Sequence, residues 1–375
     1  MMNFLGGVGT AFGGYGMLAR RYVAKYIPNE DITIDVLLGK GRRHFWAEHY
    51  KEDKVDLYRL PRNSFFAKMW LKRKSYDVFL SIELTTDYVL KHETNPNTKL
   101  ILWIQDPRPR YEWDEINTVK LFPETCYYNQ DVYDTVHCWY ENNRVKFISQ
   151  GYFLNKKAID LYNLSTDVPI EYCPNPVEID YNFEINNFTK KDNIIFLGRI
   201  ESVKRGWLFC EIAKRMPEYN FYMLGQSHRE QEENAAIMSK YLNIPNLHFE
   251  GHVDGIQKDT FIKEAKILVN TSIHEALPVS FLEALSYGTL IVSNRNPENL
   301  TSRFGIYVGD VLGDGFDKVD LYVDAIKKLM NDKLYYEKSQ SAINYVKENH
   351  NIDKFVKHVR NLIIQETRKN DCYSD

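Results

Sequence analysis

Cysteine is scarce in this sequence, and the cysteines that are present follow no structural pattern. Five of them are scattered through 375 residues, and no two form a C-x-x-C pair. An odd, dispersed set argues against a disulfide framework or a zinc site and is typical of reduced thiols. We therefore expect a cytoplasmic protein.

Long apolar runs and a strong excess of one charge are also missing. No run approaches the ~20 apolar residues that span a bilayer, and the start lacks the apolar core of a signal peptide. The 48 basic and 51 acidic residues give a net charge of −3, so the total charge does not favour nucleic-acid binding. The sequence predicts a protein that is soluble or attached to a membrane surface.

The length and the apolar content are sufficient for two domains. The chain has 375 residues, of which 44% are hydrophobic, and domains commonly have about 150–200 residues. Short apolar segments alternate with helical patterns in both halves, which is typical of parallel α/β sheets. Pro174-Asn175-Pro176 interrupts this rhythm. We predict an N-terminal domain over 1–175, a C-terminal domain over 176–351 and a final amphipathic helix over 352–370.

A glycine-rich stretch, 6–16, follows a short strand at the N-terminus and precedes a helix. Backbone without side chains can approach phosphate closely at such a junction. Phe12 stands where the third glycine of the dinucleotide fingerprint belongs, so the stretch gives a dehydrogenase little support. A plain tight turn remains the alternative.

Two carboxylates eight positions apart, Glu275 and Glu283, flank the start of a predicted helix. An apolar strand, 267–270, leads into the turn that holds Glu275, and the helix begins near Val279. The carboxyl edge of a parallel sheet and the unpaired N–H groups of a helix start both suit a phosphate ligand. From these residues alone, a ligand site and an ordinary solvated pair are equally supported.

A basic turn follows the first strand of the second half, with Arg199 and Lys204 five positions apart. A fixed guanidinium and an ammonium group would stabilise the charge that a nucleoside diphosphate gains as it leaves. Taken by itself, the segment would favour a solvated basic turn.

Together these segments resemble the family 4 retaining glycosyltransferases. The stretch with both glutamates is similar to their E-x7-E segment, with Ala276 in place of the usual glycine, and Gly198–Lys204 is similar to their G-R-x4-K segment. The resemblance implies the α/β GT-B fold, in which two Rossmann-like, doubly wound domains face each other across a cleft. The N-terminal domain would bind the acceptor, the C-terminal domain would bind the donor, and the helix 352–370 would pack back on the N-terminal domain.

The resemblance also implies the reaction. A sugar would pass from a UDP- or GDP-linked donor to a glycan, a lipid-linked molecule or another acceptor, with retention of anomeric configuration. No metal or other cofactor would be needed, because cations and a helix start can replace a divalent ion. The alternatives are a nucleotide-sugar epimerase of the same fold and a non-catalytic protein that binds nucleotide sugars or glycans.

Particular residues receive roles from the resemblance. Arg199 and Lys204 would hold the donor diphosphate, and Glu275 would lie beside the transferred sugar. Glu283 would bind the hydroxyl groups of the donor ribose. The other donor-binding candidates lie in the glycine loop and at the helix start: Gly13, Gly14, Leu277, Pro278, Val279 and Ser280.

On the acceptor side the candidate is Asp106, in the loop after the predicted strand 100–104. Many members of the family have a histidine near this point, and this chain has Gln105-Asp106 instead, so no histidine role carries over. The stretch 111–140 is rich in aromatic and acidic residues. It is either an acceptor-binding insertion or an exposed pair of helices.

A basic region lies between Lys40 and Lys74, with eleven basic and four acidic residues and a net charge of +7. Within it, the stretch 65–74 combines aromatic side chains with cations, which is the composition of a helix at a membrane surface. We predict peripheral contact with an anionic membrane. An ordinary amphipathic helix with its apolar face in the core is the alternative.

Overall fold

The computed structural model describes residues 2–4, 16, 18–40, 45–52, 55–83, 94–95, 97–227 and 231–371. The predicted candidates Gly13 and Gly14 lie outside these ranges. The chain divides into two compact units, and neither is continuous in sequence. The first unit comprises Met1–Pro107, Asn129–Pro176 and Asn351–Asp375, and the second comprises Arg108–Tyr128 and Val177–His350. The segment Arg108–Tyr128 precedes the boundary that we predicted at Pro176 and yet is counted with the second unit.

The first unit is built on an eight-stranded sheet. Its strands are β1 (Met2–Phe4), β2 (Asp35–Lys40), β3 (Glu48–Glu52), β4 (Val55–Leu60), β5 (Val78–Ile82), β6 (Lys99–Ile104), β7 (Val145–Ser149) and β8 (Ile170–Tyr172). They lie in the order β3-β4-β2-β1-β5-β6-β7-β8, and the neighbours are parallel except for the antiparallel pair β3 and β4. β5 and β6 are apolar along almost their whole length and buried, as expected for parallel strands covered on both faces.

Helices are numbered along the whole chain, and those of the first unit cover its sheet. They are the π-helical α1 (Leu18–Ala24), α2 (Ser64–Lys74), α4 (Gln130–Glu141), α5 (Asn155–Leu161) and α13 (Ile352–Asp371). The apolar face of α13 enters the core of the first unit, where Phe355 stacks on Trp103 with ring centroids 5.3 Å apart. The last helix of the chain therefore packs with the first half of the sequence.

The second unit has a six-stranded sheet that is parallel throughout. Its strands are β9 (Lys191–Leu197), β10 (Asn220–Leu224), β11 (Leu247–Gly251), β12 (Ala265–Asn270), β13 (Leu290–Ser293) and β14 (Gly305–Tyr307), in the order β11-β10-β9-β12-β13-β14. The helices are α3 (Arg110–Ile116), α6 (Gly206–Lys214), α7 (Gln231–Met238), α8 (Gly255–Glu264), α9 (Val279–Ser286), α10 (Leu300–Arg303), α11 (Val319–Met330) and α12 (Tyr335–Asn349). The strand order reverses between β9 and β12. Open α/β sheets bind ligands at such a switch point, outside the carboxyl ends of the strands.

The predicted α/β class with a doubly wound sheet in each half is confirmed. The short antiparallel strand β3 was not expected. It carries polar residues at the edge of the first sheet, where such residues protect the backbone from pairing with another chain.

Candidate functional site

The predicted cations and carboxylates of the second unit lie around its switch point. Arg199 and Lys204 follow β9, and Glu275 follows β12, the strand that pairs directly with β9. Two hydrogen bonds tie the two loops together. Ile273 N–H donates to the carbonyl of Val203 at 2.8 Å, and the Thr271 hydroxyl donates to the carbonyl of Lys204 at 2.8 Å.

The structure brings Lys204 and Glu275 into contact. The Lys204 ammonium group donates to Glu275 Oε1, and Asn270 Nδ2 donates to the same oxygen at 3.1 Å. The Glu275 side chain is only 9% exposed. A carboxylate so deeply buried is costly unless a charge and hydrogen bonds compensate it, and these two partners do so.

The pKa of Glu275 reflects this balance. Burial raises the pKa of the carboxyl group. The charge of the Lys204 ammonium and hydrogen bonds from Lys204, Ser272 and Asn270 together lower the pKa by more than burial raises it, so the pKa lies below the usual range. Glu275 is therefore ionised at neutral pH. It contributes stability above the ordinary pKa of a carboxyl group, and that contribution is lost as the pH falls through the lowered pKa.

Arg199 is oriented by an acid of its own loop. Its guanidinium lies 3.0 Å from Glu201 Oε2, and the Glu201 side chain is buried while that of Arg199 is 40% exposed. The paired face is thus fixed, and the exposed part of the fork is open to solvent. Sequence reasoning did not single out Glu201.

Glu283 does not have the solvated environment that the sequence left open for it. Its Oε1 atom lies 2.7 Å from Lys258 Nζ, and the two side chains are 14% and 10% exposed. This ion pair joins α9 to α8. Lys258 is a residue that sequence reasoning missed, because only the fold brings it to Glu283 from a helix 25 residues earlier in the chain.

The backbone candidates lie at the start of α9. Leu277 is buried, and Pro278, Val279 and Ser280 are half-buried. Pro278 occupies the N-cap position and makes no side-chain capping bond, because proline has no polar side chain. The N–H group of Phe281 donates to the carbonyl of Pro278 at 3.0 Å, so the N–H groups of Val279 and Ser280 are the ones that suit an anion.

Arg205 is a neighbour of Lys204 with a different environment. It is fully buried, and its guanidinium donates to the carbonyls of Thr271, Val311 and Gly313 at 2.6, 2.9 and 2.9 Å. Burial lowers its pKa to about 10. Arg205 thus connects three loops of the second unit and faces away from solvent.

A segment from the first half of the chain forms hydrogen bonds with these loops. Residues 110–122, which we call the bracing segment, comprise α3 and the six residues after it and belong to the second unit. Its apolar side chains recur at every third position and are buried: Trp113, Ile116, Val119 and Phe122. The two helices of the stretch 111–140 therefore fall in different units, α3 in the second and α4 in the first.

The acceptor-side candidate lies in the first unit. Asp106 follows β6, and the backbone N–H groups of Gln105 and Asp106 donate to Glu83 Oε2 at 2.8 and 2.5 Å. Glu83 is buried and has a φ of 59°, a strained value for a residue with a side chain. Burial raises the pKa of its carboxyl group. Sequence reasoning missed Glu83, which fixes the backbone of this loop.

Solved structures share the α/β fold that these two sheets define. The Anabaena protein HepE, crystallised with UDP-glucose, is 11% identical and matches with a TM-score of 0.68 over 97% of this chain and 99% of its own. The sucrose-phosphate synthase of Thermosynechococcus elongatus is 11% identical and matches with a TM-score of 0.72 over 97% and 98%. At such low identity the likeness concerns the fold, and the predicted GT-B fold is confirmed.

The sequence of the second unit is similar to that of a known protein family. Residues 178–349 match the family described as glycosyl transferases group 1. An uncharacterized glycosyltransferase of Methanocaldococcus jannaschii is 24% identical over 213 residues, which are 52% of this chain and 48% of that protein. The alignment thus spans about half the length of this curated relative. Over residues 178–349 the chain is similar to the glycosyl transferases group 1 family, and the resemblance drawn from its motifs is confirmed.

Two further properties of the described ranges concern metals and membranes. In these ranges, no group of three or more histidine, cysteine, aspartate or glutamate side chains could hold a metal ion. None of the helices described combines the length and the apolar character that crossing a membrane requires.

Proposed function

We propose that the protein transfers a sugar from a nucleotide-sugar donor to an acceptor with retention of anomeric configuration. The observation that carries the proposal is the buried Lys204–Glu275 pair at the switch point of the second sheet. An ammonium and a carboxylate held together there suit a substrate that presents a diphosphate and a sugar side by side. The match of this unit to glycosyl transferases group 1 supports the same conclusion.

In the proposed donor site, different residues bind different parts of the nucleotide sugar. Lys204 and the exposed part of Arg199 hold the diphosphate, together with the N–H groups at the start of α9. Glu283, positioned by Lys258, accepts hydrogen bonds from the ribose hydroxyl groups. Glu275 lies beside the transferred sugar.

The chemistry of departure needs stabilisation of negative charge. As the glycosidic bond breaks, the diphosphate gains charge, and the two cations and the helix start stabilise it where a divalent ion would otherwise act. With attack from the same face, an oxygen of the leaving diphosphate accepts the proton of the acceptor hydroxyl group. The proposed transfer is therefore independent of metal and assigns no protein base.

The nucleotide of the donor can be identified by thermal unfolding. HepE was crystallised with UDP-glucose, and we therefore propose a UDP-linked donor, with a GDP-linked donor as the competing outcome. A donor at about 100 times its dissociation constant should add ~2.7 kcal/mol to the free energy of unfolding. A panel of UDP- and GDP-linked sugars should give a rise in melting temperature for one nucleotide class.

Two variants control this panel. Glu283→Gln should lose the stabilisation by the free nucleoside diphosphate and by the nucleotide sugar alike, whereas Glu275→Gln should keep the former. Equal losses in both variants would contradict the assignment of Glu283 to the ribose and Glu275 to the sugar.

Two other outcomes would favour the alternative functions. Conversion of the donor into an epimer without any acceptor would identify an epimerase. Binding of the donor without conversion or transfer would identify a non-catalytic binding protein.

The acceptor is proposed to approach the loop of Asp106. The Asp106 side chain is half-buried, and the backbone of its loop is held by Glu83. A carboxylate fixed at the carboxyl end of a parallel strand can accept hydrogen bonds from sugar hydroxyl groups. We propose a glycan or a lipid-linked molecule as the acceptor.

One face of α2 supports contact with a membrane. Phe65 and Met69 lie one turn apart and are 65% and 54% exposed, whereas Ala67 and Leu71 are fully buried. Two large apolar side chains of this helix, Phe65 and Met69, thus point away from the core, whereas Ala67 and Leu71 face it. An ordinary core-facing helix would show the opposite arrangement.

Neighbouring residues extend this surface and give it charge. Phe45 and Trp46 are exposed and pack on Phe66, with ring centroids 4.7 and 5.6 Å apart. Four exposed cations surround the apolar side chains, and no acid occurs in the stretch 62–74: Arg62, Lys68, Lys72 and Arg73. We call this surface the aromatic–basic face.

We propose that the aromatic–basic face binds an anionic lipid surface, with the enzyme peripheral to the membrane on its cytoplasmic side. Apolar side chains enter the headgroup region while cations near the surface contribute about 1 kcal/mol each. The four cysteines of the described ranges are free, which suits a reducing compartment.

Sedimentation with liposomes tests this proposal. The whole protein should sediment with vesicles that contain phosphatidylglycerol, less so at high salt, and not with neutral phosphatidylcholine vesicles. The double variants Phe65→Ser/Met69→Ser and Lys68→Glu/Lys72→Glu should each reduce binding. Ile256→Ser, at an exposed apolar residue of the second unit, is the matched control and should bind normally. No sedimentation at low salt would refute the proposal.

A further inference from the structure

The two loops that carry Lys204 and Glu275, and a third loop that Arg205 joins to them, each form contacts with the bracing segment, which comes from elsewhere in the chain. They are the loop 201–205 after β9, the loop 271–275 after β12 and the loop 311–314. The family's motifs account for residues within the first two loops. They do not account for the segment that holds them.

The first contact lies next to Glu275. His274 Nε2 is 2.7 Å from Glu115 Oε2, and His274 Nδ1 is 4.0 Å from Glu112 Oε2. The His274 side chain is buried between these acids of α3. Because His274 directly precedes Glu275, the position of its ring constrains the backbone that presents the Glu275 carboxylate.

The second contact lies next to Lys204. The Ser202 hydroxyl donates a hydrogen bond to the carbonyl of Phe122, and Ser202 is fully buried. Ser202 begins the short 3-10 turn Ser202–Lys204 that carries the lysine. The end of the bracing segment therefore fixes the turn from which Lys204 reaches Glu275.

The third set of contacts holds the loop 311–314. Asp314 Oδ1 accepts hydrogen bonds from the N–H groups of Lys120 and Leu121, both at 2.9 Å. Gly313 N–H donates to Thr118 Oγ1 at 2.8 Å. Arg205 then connects this loop to the loop 271–275 through the carbonyls of Gly313 and Thr271.

We propose that the bracing segment is a positioning element for the Lys204–Glu275 pair and that Glu115 is the positioning residue for Glu275. The inference rests on the proposed function for its effect on catalysis, but its structural part stands on the contacts alone. A preorganised site holds its charged groups in the geometry that the transition state needs, so a small displacement of the turn lowers turnover more than substrate binding.

The test compares Glu115→Ala, Glu115→Gln and Asp114→Ala. Glu115 is partly exposed, so its loss should change the melting temperature little, whereas turnover should fall about tenfold, which corresponds to ~1.4 kcal/mol. The Michaelis constant for the donor should change by less than about threefold. Glu115→Gln keeps an oxygen that accepts the His274 N–H and should restore most of the turnover. Asp114, the exposed acid next to it, is the matched control and should behave as the wild type.

Hydrogen exchange gives a readout that needs no substrate. The amides of residues 270–277 should exchange faster in Glu115→Ala than in Asp114→Ala or in the wild type. Unchanged exchange in Glu115→Ala would overturn the proposal, as would a loss of turnover that Glu115→Gln does not restore. Turnover is followed as release of nucleoside diphosphate from UDP-glucose and GDP-mannose. If the wild type releases none and binds neither, the proposed function fails, and the exchange measurement still decides the role of the bracing segment.

Discussion

Replacing Lys204 by alanine is expected to lower the turnover of sugar transfer by roughly 10²–10³, the usual effect of removing one donor from a preorganised charge-stabilising site. In the proposed site the ammonium group would bind the diphosphate more strongly as its charge develops, so the Michaelis constant of the donor should rise much less. Steady-state kinetics with the donor identified by thermal unfolding measures both. Turnover near the wild-type value would contradict the role of Lys204.

The same substitution should also change how the stability of the protein depends on pH, which can be measured without any substrate. Lys204 lowers the pKa of the Glu275 carboxyl against the effect of burial, so its removal should raise that pKa and make the ionised carboxylate less favourable at neutral pH. Lys204→Ala should therefore lose stability near pH 7 and recover part of it on acidification. Lys214→Ala removes a lysine that is 62% exposed and serves as the control.

Sugar transfer by the wild type should persist in excess EDTA. Loss of transfer in EDTA, restored by manganese, would overturn the metal-free proposal.

Replacing Gly225 by alanine is expected to destabilise the protein by about 3 kcal/mol or more, because an added methyl group has no room. A Cβ atom at this position would lie 1.8 Å from the carbonyl oxygen of Gly198. Gly225 directly follows β10 and lies against Gly198, the residue that precedes Arg199. The loop that carries Arg199 must move to admit the new atom, so both the melting temperature and turnover should fall.

The neighbouring glycine is the matched control for this substitution. A Cβ atom at Gly198 would meet only the ring of Phe196, at 3.8 Å, an ordinary contact. Gly198→Ala should therefore change the free energy of unfolding by less than about 1 kcal/mol. Equal melting temperatures for the two variants would show that the backbone approach between Gly198 and Gly225 is not a constraint.

The parts of the site that could be predicted are those written locally in the sequence. Lys204 and Glu275 each follow an apolar strand, and the carboxyl ends of parallel strands meet at one edge, so their proximity follows from the pattern. The end of α9 at Gly288 could be read in the same way, since a φ of 66° there favours glycine.

The parts that escaped prediction depend on partners distant in sequence. Lys258 is an unremarkable lysine on a helix until α9 brings Glu283 to it. Glu83 stands beside two backbone N–H groups that arrive from the next strand of the sheet. The bracing segment has a regular apolar repeat, which predicts a buried face but not which unit buries it.

The division of the chain also governs how this protein can be recombined. The backbone passes between the units four times, after Pro107, Tyr128, Pro176 and His350. A single crossover at Pro176, the point suggested by the proline-rich linker, would join a foreign segment 177–350 to the native bracing segment. Glu115 and Phe122 would then face loops of a different sequence. A chimera that keeps these contacts must transfer residues 108–128 together with 177–350, so two separate stretches of the gene encode the second unit.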